Sequence, residues 1–140
     1  AAKGLGREIS LQLAAGKHDV LIHYNTSEQG ASILREQCLK MGIRAELIQG
    51  DLSSPKLLLD FIGRLKGKFP RISSLVNNVG NFINNTALNT SSEEWLDLFQ
   101  TNVHAPVAIA QSLVASIIED QGAIVNIGFA GLNAGIATAR

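Results

Sequence analysis

Short, continuous apolar runs alternate with longer segments of helical period along the whole of this 140-residue chain. Val20-Leu21-Ile22, Arg44 to Gln49, Ile72 to Val76 and Ala123 to Ile127 are strand-like. A strand without a polar face has nothing to offer water, so it must be covered on both sides. Between these runs lie helical patterns. Gly4 to Ala15 places Leu5, Ile9 and Leu13 on one stripe. Ser27 to Met41 does so with Ala31, Leu34, Cys38 and Met41, and Gly42 stops it. Ser54 before Pro55 predicts an N-cap and a first helical residue, followed by Leu58, Phe61, Ile62, Leu65 and Phe69. Ser91 and Glu94 make a capping box. The long helix behind it carries Leu96, Phe99, Val103, Val107, Ala110, Val114 and Ile117, and Pro106 is expected to kink it. This alternation predicts an α/β fold, a doubly wound parallel sheet with helices on both faces, in one domain over residues 1–140.

Composition narrows the partners. Hydrophobic residues make up 46% of the chain and aromatics 5%, so the core must be built of Leu, Ile, Val and Ala. Twelve basic and twelve acidic residues cancel, which argues against nucleic acid and against an anionic membrane surface. The single Cys38 has no internal disulfide partner and is expected in the core, and no Cys/His cluster suggests zinc. No apolar run approaches the ~20 residues of a membrane span, and no signal peptide opens the sequence. A cytoplasmic setting is expected. His18, His23 and His104 show no metal or triad pattern and are expected at the surface or at strand ends.

The chain opens Ala1-Ala2-Lys3-Gly4-Leu5-Gly6 and runs straight into a helix. Glycines there let backbone approach a phosphate, and the helix start offers free N–H groups and partial positive charge. Such a loop normally follows a strand. In a doubly wound sheet that first strand is central, between the second and the fourth. Without it two strand pairs would stand with unpaired inner edges. Each buried unpaired backbone group costs about 1–3 kcal/mol, against total stabilities of roughly 5–15 kcal/mol. The natural protein is therefore expected to extend upstream, leaving the Rossmann-like sheet incomplete here.

Several blocks together resemble the short-chain dehydrogenase/reductase family. Ala1 to Gly6 matches the last six positions of its Thr-Gly-x-x-x-Gly-x-Gly motif. Asn77-Asn78-Val79-Gly80 is similar to its Asn-Asn-Ala-Gly block after the fourth strand. Asn102 falls where the family keeps a catalytic Asn, and Gly122 to Ile127 resembles its fifth strand. The resemblance implies that Asp51, with Leu52, lies at the adenine of a bound dinucleotide and that Asn102 holds a water in a proton relay. It also implies a dimer or tetramer built partly on the long helix. On physical grounds, the Asn77–Gly80 amides suit a strand end at the ligand crevice, where they could tie neighbouring strands together. Asn102 interrupts an apolar helix face and must find a partner, either a water or backbone.

An NAD site wants a carboxylate at the end of the second strand. Here that strand ends His23-Tyr24-Asn25-Thr26-Ser27, and no acid appears before Glu28. Asn25, Thr26 and Ser27 could donate to a 2′-phosphate, and Lys3 adds charge, as in NADP-using members of the family. The cofactor is expected to be NADP.

The family transfers hydride between the nicotinamide and a carbonyl or alcohol carbon, using a Tyr whose pKa a Lys lowers from about 10, a Ser and the Asn. The Tyr-x-x-x-Lys pair is expected beyond Arg140, and Tyr24 stands on the wrong strand. The Ser position falls near Gly128-Phe129, where Phe129 has no hydroxyl, so Asn126 or a residue elsewhere must substitute or activity is reduced. Trp95 and Phe99 are expected to pack the long helix on the sheet or on a partner subunit. The loop from Asn81 to Asn89 is expected beside the substrate. The leading expectation is an NADPH-dependent carbonyl reductase of the 3-oxoacyl type. A pteridine reductase-like enzyme is a near variant, given His23-Tyr24 and Ser27. A non-catalytic NADP-binding homologue is the alternative if Phe129 marks a degenerate site. The Asn77–Gly80 block counts against a methyltransferase on a similar fold.

Overall fold

The computed structural model describes residues 2–83, 86 and 88–128. Helix α1 spans Gly4–Ala15, strand β1 Val20–Tyr24, α2 Glu28–Lys40, β2 Ala45–Gln49, α3 Pro55–Lys68 and β3 Leu75–Asn77. Then come α4 at Ser92–Phe99, a π-helical turn at Gln100–His104, α5 at Ala105–Glu119 and β4 at Ile124–Asn126. The helix starts obey their local chemistry. Ser54 Oγ accepts from the Leu57 N–H at 3.3 Å, with Pro55 as first helical residue. Ser91 and Glu94 close the expected capping box, at 3.2 and 2.7 Å. After α2, Gly42 takes φ +81°, a left-handed conformation that suits glycine and turns the chain toward β2.

All strand pairing is parallel. β1 pairs with β2 from Val20–Ala45 to Tyr24–Gln49, and β3 pairs with β4 from Leu75–Ile124 to Asn77–Asn126. Among the described residues no hydrogen bond joins one pair to the other. Two separate pairs are the arrangement expected of a doubly wound sheet without its central strand.

Two apolar clusters sandwich β1 and β2. Ala14, Val20, Ile22, Ala31, Leu34, Cys38, Ile43 and Ala45 fill the side toward α1 and α2. Ile48, Leu52, Leu58, Phe61, Leu65, Ala105, Ile109, Leu113 and Ile117 fill the side toward α3 and α5. Burying a side chain such as Leu58 contributes about 1.5–3 kcal/mol.

The helix faces differ from expectation in two places. In α1 the buried residues are Gly6, Ser10 and Ala14, whereas Leu5 and Leu13 are exposed. Small side chains let α1 lie close against α2, so the leucine stripe turns outward. In the long helix the buried ladder is Ala105, Ile109, Leu113 and Ile117, while Leu96, Phe99, Val103, Val107 and Val114 are exposed. The helix is apolar nearly all round, so periodicity alone does not choose a face. The extra residue of the π turn also rotates the downstream helix by about 100°. That turn interrupts the long helix just before Pro106.

Trp95 and Phe99 meet at a tilt of 49° with ring centroids 6.5 Å apart, and both are exposed rather than packed on the sheet. The helical stretch Ser92–Glu119 is, by length and composition, long and apolar enough to cross a membrane, contrary to the expectation from the apolar runs. Its ladder from Ala105 to Ile117 is nevertheless spent in the core with α3. Strand β4 is exposed along its length, so the β3–β4 pair is not covered on both faces by the described residues.

Candidate functional site

The sequence-predicted residues lie at the start of α1, in the turns that follow β1, β2 and β3, and in the π turn before α5. At the start of α1, Lys3 is extended and gives no side-chain cap, Gly4 takes φ +53°, and no acid stands in the first turn. The positive end of the helix is thus left to an anion. Ala2 packs on Gly30 of α2, where an added Cβ would stand 3.4 Å from it. The glycine turn therefore lies alongside the first turns of α2, which Asn25, Thr26 and Ser27 lead into. Asn25 and Thr26 are exposed, and Ser27 begins α2 without a side-chain cap bond.

The turn after β2 is pinned from several directions. The Gly50 N–H donates to the Tyr24 carbonyl at 2.9 Å, and Gln49 Nε2 donates to the Asn25 carbonyl at 3.3 Å. His23 Nε2 lies 2.8 Å from the Gly50 carbonyl, which fixes Nε2 as the protonated nitrogen. The His23 ring meets Phe61 edge-on, centroids 5.3 Å apart. Burial holds the His23 pKa below its ordinary 6.5, partly opposed by the bond to Gly50. Asp51 Oδ1 accepts from the Ser53 N–H at 2.9 Å. That bond holds its carboxyl below the usual range, with a smaller contribution from the Asn25 side chain. Asp51 is therefore an ionised acceptor at this tip. Leu52 is buried, and its carbonyl accepts from Gln100 Nε2 at 3.1 Å.

The third tip follows β3. Asn77 Nδ2 donates to Asn126 Oδ1 at 2.8 Å, and the Ile127 N–H donates to the Asn77 carbonyl at 2.9 Å. The amide does tie neighbouring strands, and it commits Asn126 Oδ1. The chain passes through Asn78, Val79 and Gly80 to Asn81, which Asn102 clasps. Asn102 Oδ1 accepts from the Asn81 N–H at 2.8 Å and its Nδ2 donates to the Asn81 carbonyl at 2.6 Å. Gly80 lies under this clasp, where an added Cβ would be 3.7 Å from Asn102 Oδ1. Of the two partners open to Asn102, its side chain takes backbone. Phe129 and part of the loop from Asn81 to Asn89 lie outside the described residues.

The tips combine a positive helix end, exposed neutral donors, one ionised carboxylate and a rigid asparagine wall. That is chemistry for an elongated anionic ligand with hydroxyl or amino groups at one end. Sequence reasoning missed Gln100, and it placed His23 near a strand end without its bond to Gly50. Their signal was a polar side chain in an otherwise apolar strand and helix.

The sequence profile of the family described as short chain dehydrogenase matches residues 1–138. An uncharacterised oxidoreductase of Mycobacterium tuberculosis is 34% identical over 127 residues, 89% of this chain and 48% of that protein. A 3-oxoacyl-[acyl-carrier-protein] reductase of Staphylococcus epidermidis is 27% identical over 128 residues, 91% of this chain and 52% of that protein. The chain thus spans about half the length of these relatives. Among solved structures, a blue fluorescent protein from a metagenomic library, in complex with NADPH, superposes with a TM-score of 0.84 at 28% identity. That match covers 96% of this chain and 55% of the other.

Proposed function

The chain belongs to the short-chain dehydrogenase family, and on that premise we propose that it is the dinucleotide-binding part of an NADPH-dependent reductase of carbonyl substrates, of the 3-oxoacyl type or a similar ketone. The observation that carries the reading is the chemistry at the end of β1, where Asn25, Thr26 and Ser27 follow the strand with no acid before Glu28. The Asn25 side chain reaches the ionised Asp51, and the uncapped α1 start that Lys3 precedes packs through Ala2 on Gly30 of α2. A doubly charged 2′-phosphate is attracted there, whereas a carboxylate would repel it. The NADPH-bound relative supports the same cofactor.

In this proposal Gly4, Leu5 and Gly6 bring backbone close to the pyrophosphate. Asp51 and Leu52 receive the adenine, with Asp51 ionised as an acceptor. Asn77, Asn78, Val79 and Gly80 form the wall under the rest of the dinucleotide, held straight by Asn126. When bound, NADPH supplies the hydride. Asn102 fixes the Asn81 backbone at the edge of the reaction site. Its side chain is spent on Asn81, so Asn102 acts by holding that backbone in place. The exposed stripe Leu96, Phe99, Val103, Val107 and Val114 suits a homodimer or homotetramer contact of a soluble cytoplasmic enzyme.

The test is NADPH oxidation by the full-length protein against ketoacyl, quinone and pterin substrates. Turnover of a ketoacyl substrate is expected, and turnover of pterins alone would favour the pteridine reductase-like variant. NADPH binding without turnover of any class would favour a non-catalytic homologue, the reading that Phe129 motivates. No binding at all would overturn the proposal.

A further inference from the structure

The two strand pairs share no strand hydrogen bond among the described residues, yet one buried side chain joins their tips. Gln100, 9% exposed, donates from Nε2 to the Leu52 carbonyl at 3.1 Å, and its Oε1 lies 2.8 Å from His104 Nδ1. Leu52 belongs to the turn that closes β2. Gln100 opens the π turn that carries Asn102, and Asn102 clasps Asn81 beyond β3. The two partners allow one arrangement only. The Leu52 carbonyl needs a donor, so the amide nitrogen faces it and the amide oxygen faces His104, whose Nδ1 therefore carries the proton. Packing gives no reason for an amide here, since Leu or Met would fill the same space in an otherwise apolar face. The geometry makes sense as a strut between the turn after β2 and the helical turn that carries the Asn102 clasp.

We propose that Gln100 is a positioning residue that couples the Gly50–Ser53 turn to the Asn102–Asn81 clasp, so that a nucleotide seated on the first tightens the second. The proposal rests on the reading of the Asp51 turn as the adenosine end of the cofactor site. The adenosine half of the cofactor would thereby stiffen the reaction half at a distance, before any nicotinamide contact is made. The coupling runs from the Leu52 carbonyl through Gln100 and Asn102 and is read out at Asn81.

The experiment follows amide hydrogen exchange at Ser53 and Asn81 in the full-length protein, with adenosine 2′,5′-bisphosphate as probe. That compound has the adenosine end and no nicotinamide. In the unaltered protein the probe is expected to slow exchange at both amides, by about fivefold or more at Asn81. In Gln100→Leu it slows Ser53 alone. Gln100→Glu keeps the size and the acceptor for His104 but removes the donor to Leu52. It is expected to uncouple the same way, and it serves if the leucine variant fails to fold. A merely structural Gln100 would change the ligand-free rates and leave the probe's effect on Asn81 intact, which would overturn the proposal. So would a probe effect confined to Ser53 in the unaltered protein. If the probe slows neither amide, the cofactor reading fails. The coupling, which rests on that reading, then falls with it, whereas slowing confined to Ser53 overturns the coupling alone and leaves the cofactor reading standing.

Discussion

Replacing Gly50 by alanine tests how tightly the turn after β2 is set. A Cβ built there would lie 2.2 Å from Phe61 Cδ2, 2.8 Å from Cε2 and 3.0 Å from Cγ. Carbon atoms in contact prefer about 3.5–4.0 Å, so more than an ångström must be found. Phe61 is 3% exposed and wedged in the α3–α5 cluster, so its ring has little room to yield. Overpacking of this kind costs about 1–3 kcal/mol. At about 2–4 °C of Tm per kcal/mol for a domain of this order of size or larger, a fall of roughly 2–12 °C is expected. The same displacement tilts the ring that His23 meets edge-on and disturbs the His23–Gly50 bond, so NADPH affinity should fall together with Tm. Thermal unfolding of the full-length protein and titration with NADPH read both effects. In Gly50→Ala/Phe61→Leu the smaller side chain should restore part of the loss, the signature of a direct contact. A Gly50→Ala protein with unchanged Tm and unchanged affinity would refute the reasoning.

His23 has a lowered pKa, so below 6.5 the unfolded chain takes up its proton before the folded one does. Stability from this group is full above pH 6.5 and is lost as pH falls toward the folded value, with a slope of at most about 1.4 kcal/mol per pH unit. Denaturant midpoints between pH 8 and 5 should show this slope, and His23→Gln should flatten it; equal slopes would count against the buried neutral ring. Asn102→Ala removes both bonds to Asn81, which should cost about 0.5–1.5 kcal/mol of stability per bond. It should lower kcat on the order of 100-fold by loosening the reaction edge. Asn102→Asp keeps the acceptor for the Asn81 N–H and should fall between; full activity in the alanine variant would remove Asn102 from the site.

Much of the fold was legible because local chemistry decided it. Ser54-Pro55 and Ser91 with Glu94 announce helix starts through side-chain bonds that need no tertiary context. Valine and isoleucine runs announce parallel strands, although β4 is exposed along its length rather than covered. The tie between Asn77 and Asn126 was foreseeable as strand-end amides seeking partners. The features that were not legible depend on packing distance. Leu5 and Leu13 look like a core stripe, but close approach of α1 to α2 selects Gly6, Ser10 and Ala14 instead. In the long helix several apolar stripes compete, and the π turn changes the register midway. Asn102 is a single polar residue whose partner, the Asn81 backbone, is twenty-one residues away. Gln100 and His23 bond carbonyls, and a carbonyl leaves no mark on the sequence.

Discrimination between the two nicotinamide cofactors probes the phosphate pocket most directly. Calorimetric titration of the full-length protein with NADPH and with NADH measures it. NADPH is expected to bind at least about tenfold tighter, a difference of about 1.4 kcal/mol, and Asn25→Asp is expected to erase the preference. Equal affinity for the two, or tighter binding of NADH, would contradict a 2′-phosphate seated between Lys3 and the Asn25–Ser27 turn.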